Sequence, residues 1–314
     1  MYMKKIISIV TPTYNEDQNI EKLVLEIKKI MNSLSSKYDY EHIVIDNKST
    51  DNTINILKKI TKTNKNLKVI FNSRNFGHIR SPFYGLLQSK GDASIFLNAD
   101  FQDPPELIPD YIKSWEKGHK ITLGQKTKTN EFFIMKYLKR FFYKTLNVIS
   151  KVNLPLYVTG FGIYDKKIIE LLKKINDPYP YLRGLVAELE GEINLIQFEQ
   201  PKRLRGKTKN NFFTLYDYVM LGLVKHSSIP LRLVIFFGFI SSLFSFVAAF
   251  IYFFYKLIYW QSFEVGIGPI IIGMFFFFSL TIFLIGLIGE YILSILSYSQ
   301  NLPLVIEKER INFE

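Results

Sequence analysis

Two stretches near the C-terminus limit what this chain can be. Residues 233–255 carry no formal charge, and neither do residues 265–289. Each run exceeds the roughly 20 residues that a helix needs to cross a hydrocarbon layer about 30 Å thick. Core helices of soluble domains rarely stay uncharged for so long, because one face normally meets water. Two membrane-spanning helices are therefore expected. The first 13 residues hold two lysines and only the short apolar run 6–10, too little for a signal peptide, so the segment before the spans is expected in the cytoplasm. The link 256–264 has one Lys and one Glu, and a dense basic run precedes the first span. By the positive-inside tendency both chain ends face the cytoplasm and the link faces outward.

Residues 1–125 follow a different pattern. The apolar runs 6–10, 43–45, 67–71, 94–97 and 121–123 read as strands. Between the first two, Ile20, Leu23, Val24, Ile27 and Ile30 recur at helical spacing, and Asn19 is placed to cap that helix. Strands alternating with helices predict an α/β fold with a mostly parallel central sheet. Ligands in such sheets sit beyond the carboxyl ends of the strands, so the polar residues following each strand are the candidates for chemistry.

Several chemistries are excluded at once. The chain has no cysteine, which removes disulfides, thiolate metal sites and thiol catalysis. No G-x-G-x-x-G follows the first strand, which removes the main support for a dinucleotide-binding oxidoreductase. Gly206-Lys207-Thr208 resembles the end of a P-loop, but Pro201 stands where its first glycine is required.

The first strand is followed by Pro12-Thr13-Tyr14-Asn15-Glu16 and the second by Asp46-Asn47-Lys48-Ser49. Asp46 can accept hydrogen bonds from a ribose or a base edge, whereas Ser49 and Asp51 suit helix capping. The fourth strand runs into Asn98-Ala99-Asp100-Phe101-Gln102-Asp103-Pro104-Pro105-Glu106. Asp100 and Gln102 are hard oxygen donors suited to Mg²⁺ or Mn²⁺, an ion completed by water and substrate phosphates; an acidic turn opening a helix is the alternative. Aromatic and basic residues mix over 131–150, including Lys136, Lys139, Arg140 and Lys144, as in a helix lying in a bilayer interface.

These blocks resemble the polyprenyl-phosphate glycosyltransferases of glycosyltransferase family 2. Pro12 to Glu16 is similar to the family's nucleotide-binding opening, and Asp46 to Ser49 to its D-D-G-S turn. Ser73-Arg74-Asn75-Phe76-Gly77 is similar to S-R-N-x-G, residues 98–106 to D-A-D-L-Q-D-P-P-E, and Arg203 to Lys209 to R-x-x-G-x-S-K. The resemblance covers essentially the whole chain and implies a GT-A type nucleotide-sugar-binding domain over 1–210, an amphipathic juxtamembrane helix over 211–231, a two-helix transmembrane domain over 232–298 and a cytoplasmic tail over 299–314. It implies that Pro12, Thr13, Tyr14, Glu16, Asp46, Ser73, Asn75, Asn98 and Ala99 hold the nucleotide, and that Asp100 and Gln102 hold the divalent ion. Asp100, Asp103 and Arg203 would serve catalysis, and Arg140, Arg203, Lys207 and Lys209 would meet the acceptor phosphate. Asn98 stands for the first Asp of D-A-D, and Gly160 stands where the family's G-D-F-R-L segment often has Asp.

The activity implied is transfer of one sugar, with inversion, from a nucleotide diphosphate donor, a UDP-sugar foremost, to undecaprenyl or another polyprenyl phosphate, supplying cell-envelope glycan modification. A homo-oligomer, tetrameric in some relatives, is implied as well. The net charge of +12 then serves docking to an anionic bilayer, since each Lys or Arg near such a surface adds about 1 kcal/mol. Nucleic acid is not an expected partner. A processive polysaccharide synthase would need a Q-x-x-R-W motif, but the only tryptophans, Trp115 and Trp260, follow Ser114 and Tyr259. The rival from another class is a catalytically silent nucleotide-binding scaffold, kept open by Asn98 and Gly160.

Overall fold

The computed structural model describes residues 4–127, 157–190, 192–201, 229–259, 267–300 and 302–313. The chain forms two compact units, one containing the sheet described next together with Gln300–Glu314, the other containing the two long apolar helices.

In the first unit, strands and helices alternate as the apolar spacing predicts: β1 (Lys5–Thr13), α1 (Ile20–Ser33), β2 (Tyr38–Asp46), α2 (Thr53–Thr61), β3 (Leu67–Asn72), α3 (Gly77–Leu87) and β4 (Ala93–Phe96). A short 3-10 turn, Pro105–Leu107, leads into α4 (Ile108–Glu116), followed by β5 (Ile121–Lys126), β6 (Val158–Asp165), α5 (Lys166–Lys174), α6 (Leu182–Leu189) and β7 (Asn194–Phe198). The last strand, β8 (Glu307–Ile311), comes after the apolar helices α7 (Ile229–Ile258) and α8 (Ile267–Ser299). The eight strands lie in the order β7-β5-β6-β4-β1-β2-β3-β8. β4, β1, β2 and β3 are mutually parallel, while β6 runs antiparallel to β4 and β8 antiparallel to β3. Strand order reverses at β1, which has β2 on one side and β4 on the other. The turns after β1 and β4 therefore flank the crevice where such sheets bind ligands.

Both faces of the sheet are covered. β1 sends Ile7 and Ile9 to the face packed by Ile20, Leu23, Val24, Ile27 and Met31 of α1, and sends Val10 to the opposite face with Phe83 and Leu86 of α3. The period of two along the strand and of 3.6 along α1 produce this division. Asn19 sits at the N-cap of α1, but its side chain donates to Glu16 Oε2 at 2.7 Å instead of capping the first turn.

His42, on β2, is 1% exposed and its Nε2 lies 2.9 Å from Thr11 Oγ1. Burial pushes its imidazole down to about 3, so the ring is neutral in the folded chain. In the unfolded chain it titrates near 6.5, so between about pH 6.5 and 3 the unfolded state binds more protons and stability rises with pH. We expect His42→Gln to flatten this dependence, with the melting-temperature gap between wild type and variant shrinking as pH falls from 7 to 4.

In the second unit, α7 and α8 run for 30 and 33 residues. Among the described residues one stretch, Phe276–Ser299, is long and apolar enough to cross a membrane by length and composition, and Leu231–Ser241 is a shorter apolar stretch. Phe239, Phe244, Ile282, Phe283 and Ile295 are each about 70% exposed on these helices, an apolar surface that water does not favour.

Candidate active site

Four turns leave the carboxyl ends of the parallel strands, and each contains a residue in the left-handed backbone region: Asn15 (φ 56°) after β1, Lys48 (φ 67°) after β2, Gly77 (φ 84°) after β3 and Phe101 (φ 58°) after β4. Glycine adopts this conformation freely and asparagine tolerates it, but it strains lysine and a bulky phenylalanine. Strain gathered at one edge marks a region shaped for something other than stability.

The first three turns are bound into one network. Asn15 N donates to Ser49 Oγ at 2.8 Å, Thr50 N donates to Asn15 Oδ1 at 2.7 Å, and Glu16 N donates to Thr53 Oγ1 at 3.0 Å. Asp51 accepts from Thr53 N at 3.0 Å and Asp17 N at 3.2 Å, the capping role its position suggests. Asn47, 7% exposed, joins the second turn to the third: its Nδ2 donates to Asn75 Oδ1 at 2.9 Å and Gly77 O at 3.0 Å, and its Oδ1 accepts from Phe76 N at 2.9 Å. Asn75 Oδ1 also takes Gly77 N at 2.8 Å. In the sequence, the signal for Asn47 is its position beside Asp46.

The fourth turn is organised by its own carboxylates. Asp103, 2% exposed, accepts from Asn98 Nδ2 at 2.6 Å. Burial, with Asp100 nearby, pushes its carboxyl up to about 6 against the pull of Lys126 and Asn98. Asn98 therefore suits its place: an aspartate there would face a second buried carboxylate at hydrogen-bond range. Asp100 Oδ1 takes Gln102 N at 3.1 Å, and both residues are half-buried, unlike Asp103.

The other expected residues fall as follows. Pro12, Tyr14 and Glu16 are half-buried at the end of β1, and Thr13 is buried with its Oγ1 unpaired among the described residues. Asp46 is fully buried, and its carboxylate takes both Ser49 N and Ser49 Oγ; burial raises its pKa. In this arrangement Asp46 shapes its turn. Ser73 is half-buried, Asn75 exposed and Ala99 buried in the core. Gly160 lies on β6 at φ 92°, and its carbonyl takes Tyr164 Oη at 2.6 Å. Arg140, Arg203, Lys207 and Lys209 lie outside the described residues.

The site thus combines a crevice at the strand-order reversal, a hydrogen-bonded set of three turns and an oxygen-rich fourth turn. The sequence profile described as glycosyl transferase family 2 matches residues 8–172, more than half of the chain and all four turns. The chain belongs to glycosyl transferase family 2. Among curated relatives, an uncharacterized glycosyltransferase of Bacillus subtilis, YkcC, is 30% identical over 308 residues, covering 98% of this chain and 94% of the relative. The bactoprenol glucosyl transferase of Shigella phage SfV is 26% identical, covering 96% of this chain and 98% of the relative. Among solved structures, the glucosyl-3-phosphoglycerate synthase of Mycobacterium tuberculosis in complex with Mn²⁺, uridine diphosphate and phosphoglyceric acid aligns at a TM-score of 0.51 and 18% identity, covering 70% of this chain and 76% of that one. That likeness establishes a shared GT-A fold.

Proposed function

We propose that this family 2 enzyme is a membrane-anchored inverting glycosyltransferase that moves one sugar from a UDP-sugar to undecaprenyl or another polyprenyl phosphate at the cytoplasmic face, for modification of cell-envelope glycans. The near-full-length likeness to bactoprenol glucosyl transferases, apolar helices included, carries this reading. The donor occupies the crevice formed by the turns after β1, β2, β3 and β4, where Thr13 Oγ1, unpaired among the described residues, lies. Asp100 and Gln102 fit a hard cation: one carboxylate and one amide oxygen on a half-buried turn, with no group of three acidic or imidazole ligands among the described residues. When bound, that ion would act as a Lewis acid on the departing diphosphate.

The displacement needs little else from the protein. An acceptor phosphate oxygen attacks the anomeric carbon, a new C–O bond forms to phosphorus-bound oxygen, and the bond to the nucleoside diphosphate breaks with its electron pair going to the leaving group. A phosphate monoester is already mostly ionised at neutral pH, since its second pKa is near 6, so no side chain has to remove a proton. Gly160, in place of an acidic residue, is compatible with this. Asp103 is proposed to aid catalysis by holding Asn98 in place. Arg140, Arg203, Lys207 and Lys209 are proposed to bind the acceptor phosphate.

The two-span reading draws support from β8. It follows α7 and α8 in the chain and pairs with β3, while β7, before them in the chain, belongs to the same sheet. A chain that leaves and rejoins one sheet crosses a bilayer an even number of times if it crosses at all, which two spans satisfy. Purified full-length protein mixed with polyprenyl phosphate and labelled UDP- and GDP-sugars, with and without chelator, tests the reading. We expect lipid-linked product from a UDP-sugar that chelator abolishes; no transfer from any donor would leave the silent scaffold.

A further inference from the structure

We infer that residues 303–313 form a strap that sets the shape of the third donor turn, 73–77, so that nucleotide binding depends on a segment lying beyond the apolar helices in the chain. The inference rests on the reading that this turn contacts the donor.

The strap holds the turn from both sides. On the strand side, β8 pairs with β3 through Val69–Ile311, Ile70–Arg310 and Phe71–Glu309, and the register shifts between Phe71 and Asn72. Directly after that shift, Ser73 N donates to Ile306 O at 2.9 Å, so the first residue of the turn hangs on the strap. On the helix side, Arg80 and Tyr84 of α3 and Gln88 at its C-cap stand four residues apart and thus share one face. Arg80 Nη2 donates to Pro303 O at 2.5 Å, Tyr84 Oη donates to Glu307 Oε1 at 2.9 Å, and Arg310 Nη2 donates to Gln88 Oε1 at 2.9 Å. Lys58 pairs with Glu309 at 2.5 Å, and Asn312 Nδ2 donates to Leu67 O at 2.9 Å, which closes the far end.

The strand entering the turn and the helix leaving it are therefore fastened to the same eleven-residue segment. Between those fixed ends lie Arg74, Asn75 and Phe76. Asn75 and the Phe76 amide meet Asn47, the neighbour of Asp46. Loosening the strap frees the turn to sample other conformations, and a donor must then order it on binding, which costs affinity.

Glu307 is the substitution of choice because it accepts from both Tyr84 and Arg310. In full-length protein in detergent, Glu307→Ala should speed amide exchange across 73–77 by about tenfold while exchange in 5–13 stays at the wild-type rate. UDP affinity measured by calorimetry should fall by about fivefold. Tyr84→Phe, which removes one hydroxyl, should move both readings the same way by less, and it carries the test if Glu307→Ala loses protection in 5–13. Wild-type exchange across 73–77 in the variants overturns the strap, and faster exchange with unchanged UDP affinity overturns its role in nucleotide binding. Should the wild type bind neither UDP nor GDP, the donor reading fails, and exchange alone then decides whether the strap holds the turn.

Discussion

Replacing Asp100 with alanine should lower sugar transfer about 10²- to 10³-fold, the range typical when a principal stabiliser of developing charge is removed. The fold should survive, because Asp100 is half-buried on a turn, where its carboxylate takes Gln102 N at 3.1 Å. Losing that bond costs about 1 kcal/mol. Gln102→Ala should fall in the same direction by less, since a neutral amide oxygen contributes less to holding a cation than a carboxylate. The measurement is the initial rate with saturating donor and acceptor, over a series of Mg²⁺ and Mn²⁺ concentrations. A metal role predicts that the residual activity of Asp100→Ala no longer responds to the ion; full activity in this variant would remove the metal assignment.

The largest effect on stability is expected at Gly162. A methyl group there would sit 2.2 Å from Thr122 O and 2.9 Å from Leu123 Cα, both backbone atoms of the neighbouring β5. Backbone in the middle of a sheet cannot step aside as a side chain can, so Gly162→Ala should cost about 3 kcal/mol. For a domain of this size the melting temperature should then drop by about 6–12 °C. Gly160→Ala is the contrast: the nearest atoms to its methyl would be 3.9 Å away, leaving only the strain of φ 92°. It should cost about 1 kcal/mol. Equal melting temperatures for the two variants would mean that β5 and β6 do not approach as described.

The elements that could be read from sequence are those in which local pattern and tertiary placement agree. β1, β2 and β3 were visible as apolar runs because their residues are buried on both faces, and α1 was visible because its buried residues recur at helical spacing. β8 was not. Its residues Glu307, Lys308, Glu309, Arg310 and Ile311 form an edge strand with alternating half-buried and exposed positions, so its charges face water or α2 and α3 and no apolar run results. Its partner lies some 240 residues earlier in the chain, a distance over which local pattern carries no information.

The site was legible in type more than in detail. The turns that follow β1 to β4 were visible from the strand ends alone. The division of labour inside them was not, because it depends on which atom each side chain faces. Asp46 reads as an acceptor for a ribose or a base edge, and in the fold its carboxylate takes Ser49 N. Asp103, a catalytic residue by resemblance, accepts from Asn98. The neutral Asn98, expected from the resemblance to hold the nucleotide, donates to the buried Asp103. Asn47 has no distinguishing chemistry until the turn after β3 folds onto it.

The acceptor decides the central claim. Full-length protein in liposomes would be offered one labelled UDP-sugar with either undecaprenyl phosphate or undecaprenol, and the lipid product collected. Ionised phosphate as the attacking group predicts a sugar phosphodiester from the first lipid, with the anomeric configuration opposite to the donor's, and no product from the second. Comparable transfer to the alcohol, or product with the donor's configuration retained, would contradict it.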